Sequence, residues 1–370
     1  MGVLLASASA GAVDALFAGS LATDFRYVSP PSDPQAFSRL SIDSVTLEAS
    51  QKIVVELGNG VSFSVKACAG CHGLELDQAY GEVHAHRFFN LRAGRLNVPF
   101  GEFNARHDPR NFSAPSKPLP YAMGDMLYYS RQELNLGIVP APWVDNGAEV
   151  FGSFALGERL SLDYTAFLVK GLAGDNDLDF ASSRSYVDIN RTPTLGGRLV
   201  LAGDDWAVGL SGSGGTYDAK DRFWYLMAGV EGYLRLGAWT FRAEALERRT
   251  DLDPDDPDYS VPLKDPWFLK LGWYAQVDWE LSPKLLLLVR TDGLHRLGVP
   301  LPGSALGAAL AGRDPNVATT PSVGVQRQTL GVLVRPSEHL AIKAGYELWT
   351  FSGLSYQRTH LGRVGLVLGY

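Results

Sequence analysis

Residues 267–279 read WFLKLGWYAQVDW, and their order decides the fold. Trp267, Leu269, Leu271, Trp273, Ala275, Val277 and Trp279 take every odd position, while Lys270, Gln276 and Asp278, then Glu280, take even ones. A period of two belongs to a β-strand, whose successive side chains point to opposite faces. Tryptophan at both ends of the apolar run matches the aromatic girdles of the two membrane interfaces. The strand is predicted to lay its odd face on lipid and its even face on water.

The same alternation marks residues 224–236, with Tyr225, Glu231 and Arg235 inward, and 241–245, with Arg242 and Glu244 inward. It recurs at 287–291, with Arg290 and Asp292 inward, and at 340–348, with Lys343 and Glu347 inward. In the last run Val364, Leu366, Leu368 and Tyr370 alternate with Arg363, Gly365, Val367 and Gly369. About sixteen such runs can be drawn, each near the ~9–11 residues that cross a bilayer at a tilt. The expectation is an all-β chain, one transmembrane antiparallel barrel over residues 15–370. Tight links at 56–61, 157–159, 204–205 and 336–338 read as periplasmic turns, and the Asp-, Pro- and Gly-rich stretches between them as long extracellular loops. The longest, at 102–132, is expected to fold inward and narrow the pore. Residues 1–14 read as the remnant of a secretory signal or a disordered terminus, since no basic residue precedes Arg26.

No run approaches the ~18 consecutive apolar residues of a spanning helix, and mean hydropathy lies close to zero, as alternation requires. The net charge of −7 argues against a nucleic-acid partner. The expected surroundings are lipid and lipopolysaccharide of a bacterial outer membrane.

One string stands apart. Cys68-Ala69-Gly70-Cys71-His72 holds the only two cysteines of the chain. C-x-x-C-H is the spacing at which two thiols add to the vinyl groups of haem c and the histidine reaches the iron. Cys68 and Cys71 are therefore read as thioether positions and His72 as the proximal ligand, on a hairpin spanning about 61–86 at the outer rim. The alternatives are a strained disulfide, half of a metal site, or a chance string; a zinc site would need two more ligands of the right type. For the distal position His107, from the inward-folding loop, is preferred, with Met123, Met126 or an open site as alternatives. His84 and His86 read instead as polar lining near the pore exit, because extended strand at ~3.3 Å per residue carries His84 about 40 Å from His72.

Residues 76–104, LDQAYGEVHAHRFFNLRAGRLNVPFGEFN, resemble the phosphate-selective-type porins, in which an "AY" strand is followed by R-x-G-x-x-x-V-P-F-G, here Arg92 to Gly101. The chain looks most like a haem-bearing branch, with C-x-x-C-H ahead of the "AY" strand and F-x-x-R-H-D-P after it, here residues 103–109. The resemblance implies a homotrimer and covalent haem c. Phosphate selectivity does not carry over, since Arg242, Lys270, Arg290, Lys343 and Arg363 are balanced by Glu231, Glu244, Asp278, Glu280 and Glu347. Arg92 and Arg95 join the expected pore lining, with a bulge at Gly94.

The expected function is a porin-like barrel with one haem, supporting electron passage at or across the outer membrane with periplasmic or extracellular cytochromes as partners. The alternative is a passive general or anion-preferring porin whose C-x-x-C-H is a disulfide hairpin or relic. A soluble extracellular haem β-protein is a third reading. No residue order suggests catalysis, and no nucleotide cofactor is expected: Gly212 to Gly215 lies in a strand pattern with no helix after it. The acidic stretches at 175–177 and 251–258 read as solvated loops, lacking the glycine and closing glutamate of a calcium loop.

Overall fold

The computed structural model describes residues 14–28, 44–70, 73–122, 137–174, 178–179, 183–253, 266–298, 323–352 and 358–370. Cys71, His72, Met123 and Met126, the acidic residues 175–177 and 254–258, and residues 1–13 lie outside them.

The first barrel strands are β1 (Asp14–Val28), β2 (Ser44–Gly58), β3 (Val61–Gly70), β4 (Gly73–His86) and β5 (Phe89–Asn97). After a long connection come β6 (Val144–Ala155) and β7 (Ser161–Val169), then a short hairpin, β8 (Ala173–Gly174) with β9 (Leu178–Asp179). β10 (Thr194–Ala202), β11 (Trp206–Thr216), β12 (Trp224–Leu236) and β13 (Trp239–Asp251) follow. β14 (Trp267–Ser282), β15 (Leu285–Gly298), β16 (Val323–Ser337), β17 (Leu340–Ser352) and β18 (Arg358–Gly369) complete the chain. All except β8 and β9 join one closed antiparallel barrel of sixteen strands, sealed where β1 meets β18 from Ser20↔Gly369 to Val28↔Leu361. Closure pairs every edge, the condition for strands to stand in hydrocarbon.

Sidedness follows the sequence parity. Along β14, Phe268, Lys270, Tyr274, Gln276 and Asp278 are buried, and Trp273 and Trp279 are exposed. Leu210, Val230, Val289 and Leu330 stand on the outer face, each at least half exposed. Such a surface is stable only against lipid, and antiparallel barrels of this kind belong to the bacterial outer membrane. Trp239 and Trp279 stack outside the short-turn rim, ring centres 5.0 Å apart and nearly parallel.

The short links are tight for local reasons. Between β2 and β3, Gly58, Asn59 and Gly60 all take positive φ, the conformation that turns a hairpin in two residues. At Gly94 the expected bulge is absent. Its φ is +131°, yet the ladder runs unshifted through it on both sides, Tyr80↔Gly94↔Gly147. Glycine serves a close approach here, since a Cβ would meet the Ala79 carbonyl. The register shift lies opposite, in β4, where Lys66↔Gln78 and Ala67↔Leu76 skip Asp77.

The connection from β5 to β6 lies inside the barrel over its described residues, 98–122 and 137–143. Phe100, Phe103, Tyr121, Ile138, Val139 and Trp143 are buried in one cluster with Phe167, Tyr217, Tyr225, Leu246 and Tyr274 from the wall. Two short 3₁₀ turns, Phe103–Arg106 and Leu119–Tyr121, shape it. The loop packs on the β6–β16 wall, and the remaining space opens toward β1–β4, β17 and β18.

Candidate functional site

Asn104 closes the base of the inserted loop. Its side-chain amide donates to the carbonyls of Val98 (2.8 Å) and Trp143 (3.2 Å) and to Asn97 Oδ1 (3.0 Å), and its oxygen accepts from Trp143 N–H (2.8 Å). The loop is then fastened round the wall. Glu244 on β13 accepts from the N–H groups of Glu102 (3.0 Å) and Phe103 (3.4 Å) and from the Tyr121 hydroxyl. Asp278 on β14 accepts from Ser113 Oγ (3.0 Å), and Asp292 on β15 from Leu119 N–H (3.0 Å). Arg290 donates to the Ser116 carbonyl (2.7 Å), Arg327 to that of Lys117 (2.6 Å), and Lys343 to those of Pro109 and Phe112 (2.5 Å each).

One group of the loop and one of β3 fix the two ring nitrogens of His107. Asn104 accepts through its carbonyl from His107 Nδ1 at 2.7 Å, and since a carbonyl only accepts, the ring proton sits on Nδ1. The Nε2 lone pair then faces β3, where it accepts from Lys66 Nζ at 3.3 Å. Lys66 is buried between Asp108 (2.7 Å) and Asp77 (3.1 Å). Burial, ahead of repulsion from Lys66, pushes the His107 imidazole below its ordinary range and keeps it neutral.

Cys68 follows Lys66 by two residues and shares its inward face. It stands opposite Ser50 on β2 and Glu75 on β4, and its Sγ meets Glu48 Oε1 at 3.8 Å. A cavity of about 210 Å³ brings Cys68 and His107 together, walled by Asp24, Glu48, Glu75 and Asp77 and by Lys117, Arg184, Lys343 and Arg363. Gly70 and Gly73, the described residues on either side of Cys71 and His72 in the sequence, also line it.

The other sequence-derived positions lie round the inner wall, except Arg95, which shares the outward parity of Leu91 and Ala93 on β5 and so does not line the pore as expected. Arg92 bridges Glu82 (2.7 Å) and Glu149 between the rings of Tyr80 and Phe151. Arg95 donates to the Leu76 carbonyl (2.8 Å) and lies over Tyr186. Arg242 pairs with Asp278 (3.3 Å), Arg290 with Asp292 (3.2 Å), and Arg363 with Asp24 (3.1 Å) and Glu347 (3.4 Å). Lys270 is buried opposite Arg248 and Arg296, and Lys343 is tied to the inserted loop. Most of these cations therefore brace the wall or the loop. His84 lies at the opposite rim, beside Glu82 at 2.5 Å.

Sequence reading missed Lys66, Asp77, Asn104 and Arg184. Lys66 carried a usable signal, a cation two residues from Cys68 on the same face of a strand.

No protein-family model matches the chain. An uncharacterized protein of Aquifex aeolicus is 28% identical over 102 residues, 28% of this chain and 19% of that protein, so the match spans about a fifth of that relative. Among solved structures, the anion-selective porin from Comamonas acidovorans aligns with TM-score 0.63 and 11% identity, covering 97% of this chain and 100% of that one. OmpF of Salmonella typhi aligns at 0.60 and 9%, covering 96% and 97%. The outer membrane channel DcaP of Acinetobacter baumannii aligns at 0.56 and 10%, covering 98% and 99%. At such identities the likeness is one of fold, and the fold is that of the outer-membrane porins.

Proposed function

We propose that this porin-type barrel carries one covalent haem on the Cys68–His72 hairpin and supports electron passage at the outer membrane. The observation that supports it is the meeting of Cys68 and His107 on one cavity, on the side of the lumen that the inserted loop leaves open. Cys68 and Cys71 would hold the group, with His72 and His107 toward the iron. When bound, it supplies a one-electron centre.

The described residues fit such a group. His107, which lines the cavity, has the arrangement of a metal-ligating imidazole, one nitrogen donating to a backbone carbonyl and the other keeping its lone pair, here toward Lys66. Lys66 keeps both carboxylates if it releases Nε2. The Cys68 thiol shares only a weak hydrogen bond with Glu48. One centre at the outer rim does not cross a ~30 Å hydrocarbon core, so electron passage requires cytochromes that approach or enter the lumen. A homotrimer is the expected assembly; one OmpT structure of Vibrio cholerae, with TM-score 0.56, is described as a trimer form.

The second reading is a passive diffusion porin, favoured by the full-length likeness to porins and by the charged inner wall. Haem staining of the denatured polypeptide separates the two. Colour that stays with the chain supports the haem reading. A colourless chain that gives a large steady current in a planar bilayer supports diffusion.

A further inference from the structure

Arg184 lies in the stretch after β9 that crosses back over β4. Its carbonyl accepts from Arg95 Nη2 (3.1 Å), and two residues on, Tyr186 stacks on Arg95 and accepts from Leu76 N–H (3.0 Å). The backbone is thus pinned beside the hairpin. The side chain reaches Glu75, with Nη2 donating to its carboxylate at 2.5 Å. Glu75 is the cross-strand partner of Cys68, and this ion pair brings the guanidinium to the cavity that Cys68 lines.

Among the described residues, Nε and Nη1 of Arg184 are both buried without an acceptor. A buried N–H left unmet is costly, and an arginine held in that state beside a cavity is prepared for an anionic acceptor. Lys117 lines the same cavity and has no ion-pair partner among the described residues. Three of the cavity's carboxylates already have cations: Asp24 with Arg363, Asp77 with Lys66, and Glu75 with Arg184.

We infer that Arg184, with Lys117, is the carboxylate anchor of this cavity. The inference deepens the proposed function without depending on its outcome. In the haem reading the carboxylate is a propionate at the edge of the group tethered through Cys68. In the diffusion reading it belongs to a small organic acid in transit.

The test compares the full-length wild type with Arg184→Gln, Arg184→Lys and Glu75→Gln, all purified in detergent. If the chain retains haem after denaturation, the midpoint potential is measured. Arg184→Gln is expected to lower it by about the 59 mV that a tenfold change in a one-electron equilibrium carries. Arg184→Lys should recover part of the loss, and Glu75→Gln should show none. Glu75→Gln breaks the same ion pair and keeps the guanidinium, so a merely structural Arg184 would make the two neutral variants behave alike. That result, or a potential unchanged in Arg184→Gln, overturns the inference and leaves the haem reading standing. If denaturation strips all colour, the haem reading fails, and the same proteins are titrated with succinate in planar bilayers. A tenfold weaker block in Arg184→Gln, absent in Glu75→Gln, supports the anchor with a solute as its source. Equal block in all variants overturns it.

Discussion

Asn104, fully buried, spends its side chain joining the first and last residues of the inserted loop. Replacing it with alanine leaves Trp143 N–H unmet and takes one of two donors from the carbonyls of Val98 and Trp143, and is expected to cost about 1–3 kcal/mol in urea unfolding from micelles. A similar logic governs Asp218, between β11 and β12, whose carboxylate accepts from the N–H groups of Arg222 (2.7 Å) and Phe223 (2.9 Å). Burial raises its pKa, but these bonds outweigh burial and hold it below the ordinary carboxylate value. Its contribution to stability is therefore complete above the unfolded value of ~3.9 and is lost as pH falls through the lower folded value. Wild type should lose stability over that acidic window, and Asp218→Asn should show a flatter profile; equal profiles would remove the assignment. Cys68 and His107 could be singled out as candidates from local strings of sequence, and the fold sets both on one cavity. Asn104 and Arg184 could not, since each acts on residues brought near by the closed barrel.

Glu244 holds an element rather than a neighbour. It gathers two backbone N–H groups and the Tyr121 hydroxyl, so Glu244→Ala is expected to free the 98–122 stretch from β13. Single-channel recording should then show larger and noisier conductance than wild type; an unchanged current would mean the loop is held elsewhere. Gly101, at φ +70°, lies against the same carboxylate, where a Cβ would strike both Tyr121 and Glu244. Gly101→Ala is expected to destabilise by more than ~1 kcal/mol, since alanine also disfavours positive φ. Strands were the legible elements, because a period of two survives wherever one face meets lipid and the other water. The bulge expected at Gly94 failed for a related reason: the apolar positions change parity where the inserted loop replaces water with a second apolar surface inside, as at Leu96 and Val98.

For the whole molecule, sidedness is the property on which everything else stands. Leu210 points outward from the middle of β11, and Ser211 points inward beside Gly101 N–H. Leu210→Arg should cost about 2–4 kcal/mol in folding into lipid vesicles, the penalty of a cation near the bilayer midplane. No such loss would mean that this face is not against lipid. Within that cylinder the loop's one-sided packing makes the cavity, and the cavity gives Cys68 and His107 a common space. The most direct measurement is the pyridine haemochrome spectrum of wild type and the Cys68→Ala, Cys71→Ala variant after denaturing extraction. A haem tethered through these thiols gives a haem c spectrum that stays with the wild-type polypeptide and is absent from the variant. A colourless wild-type chain, from cells that assemble c-type cytochromes, would contradict it.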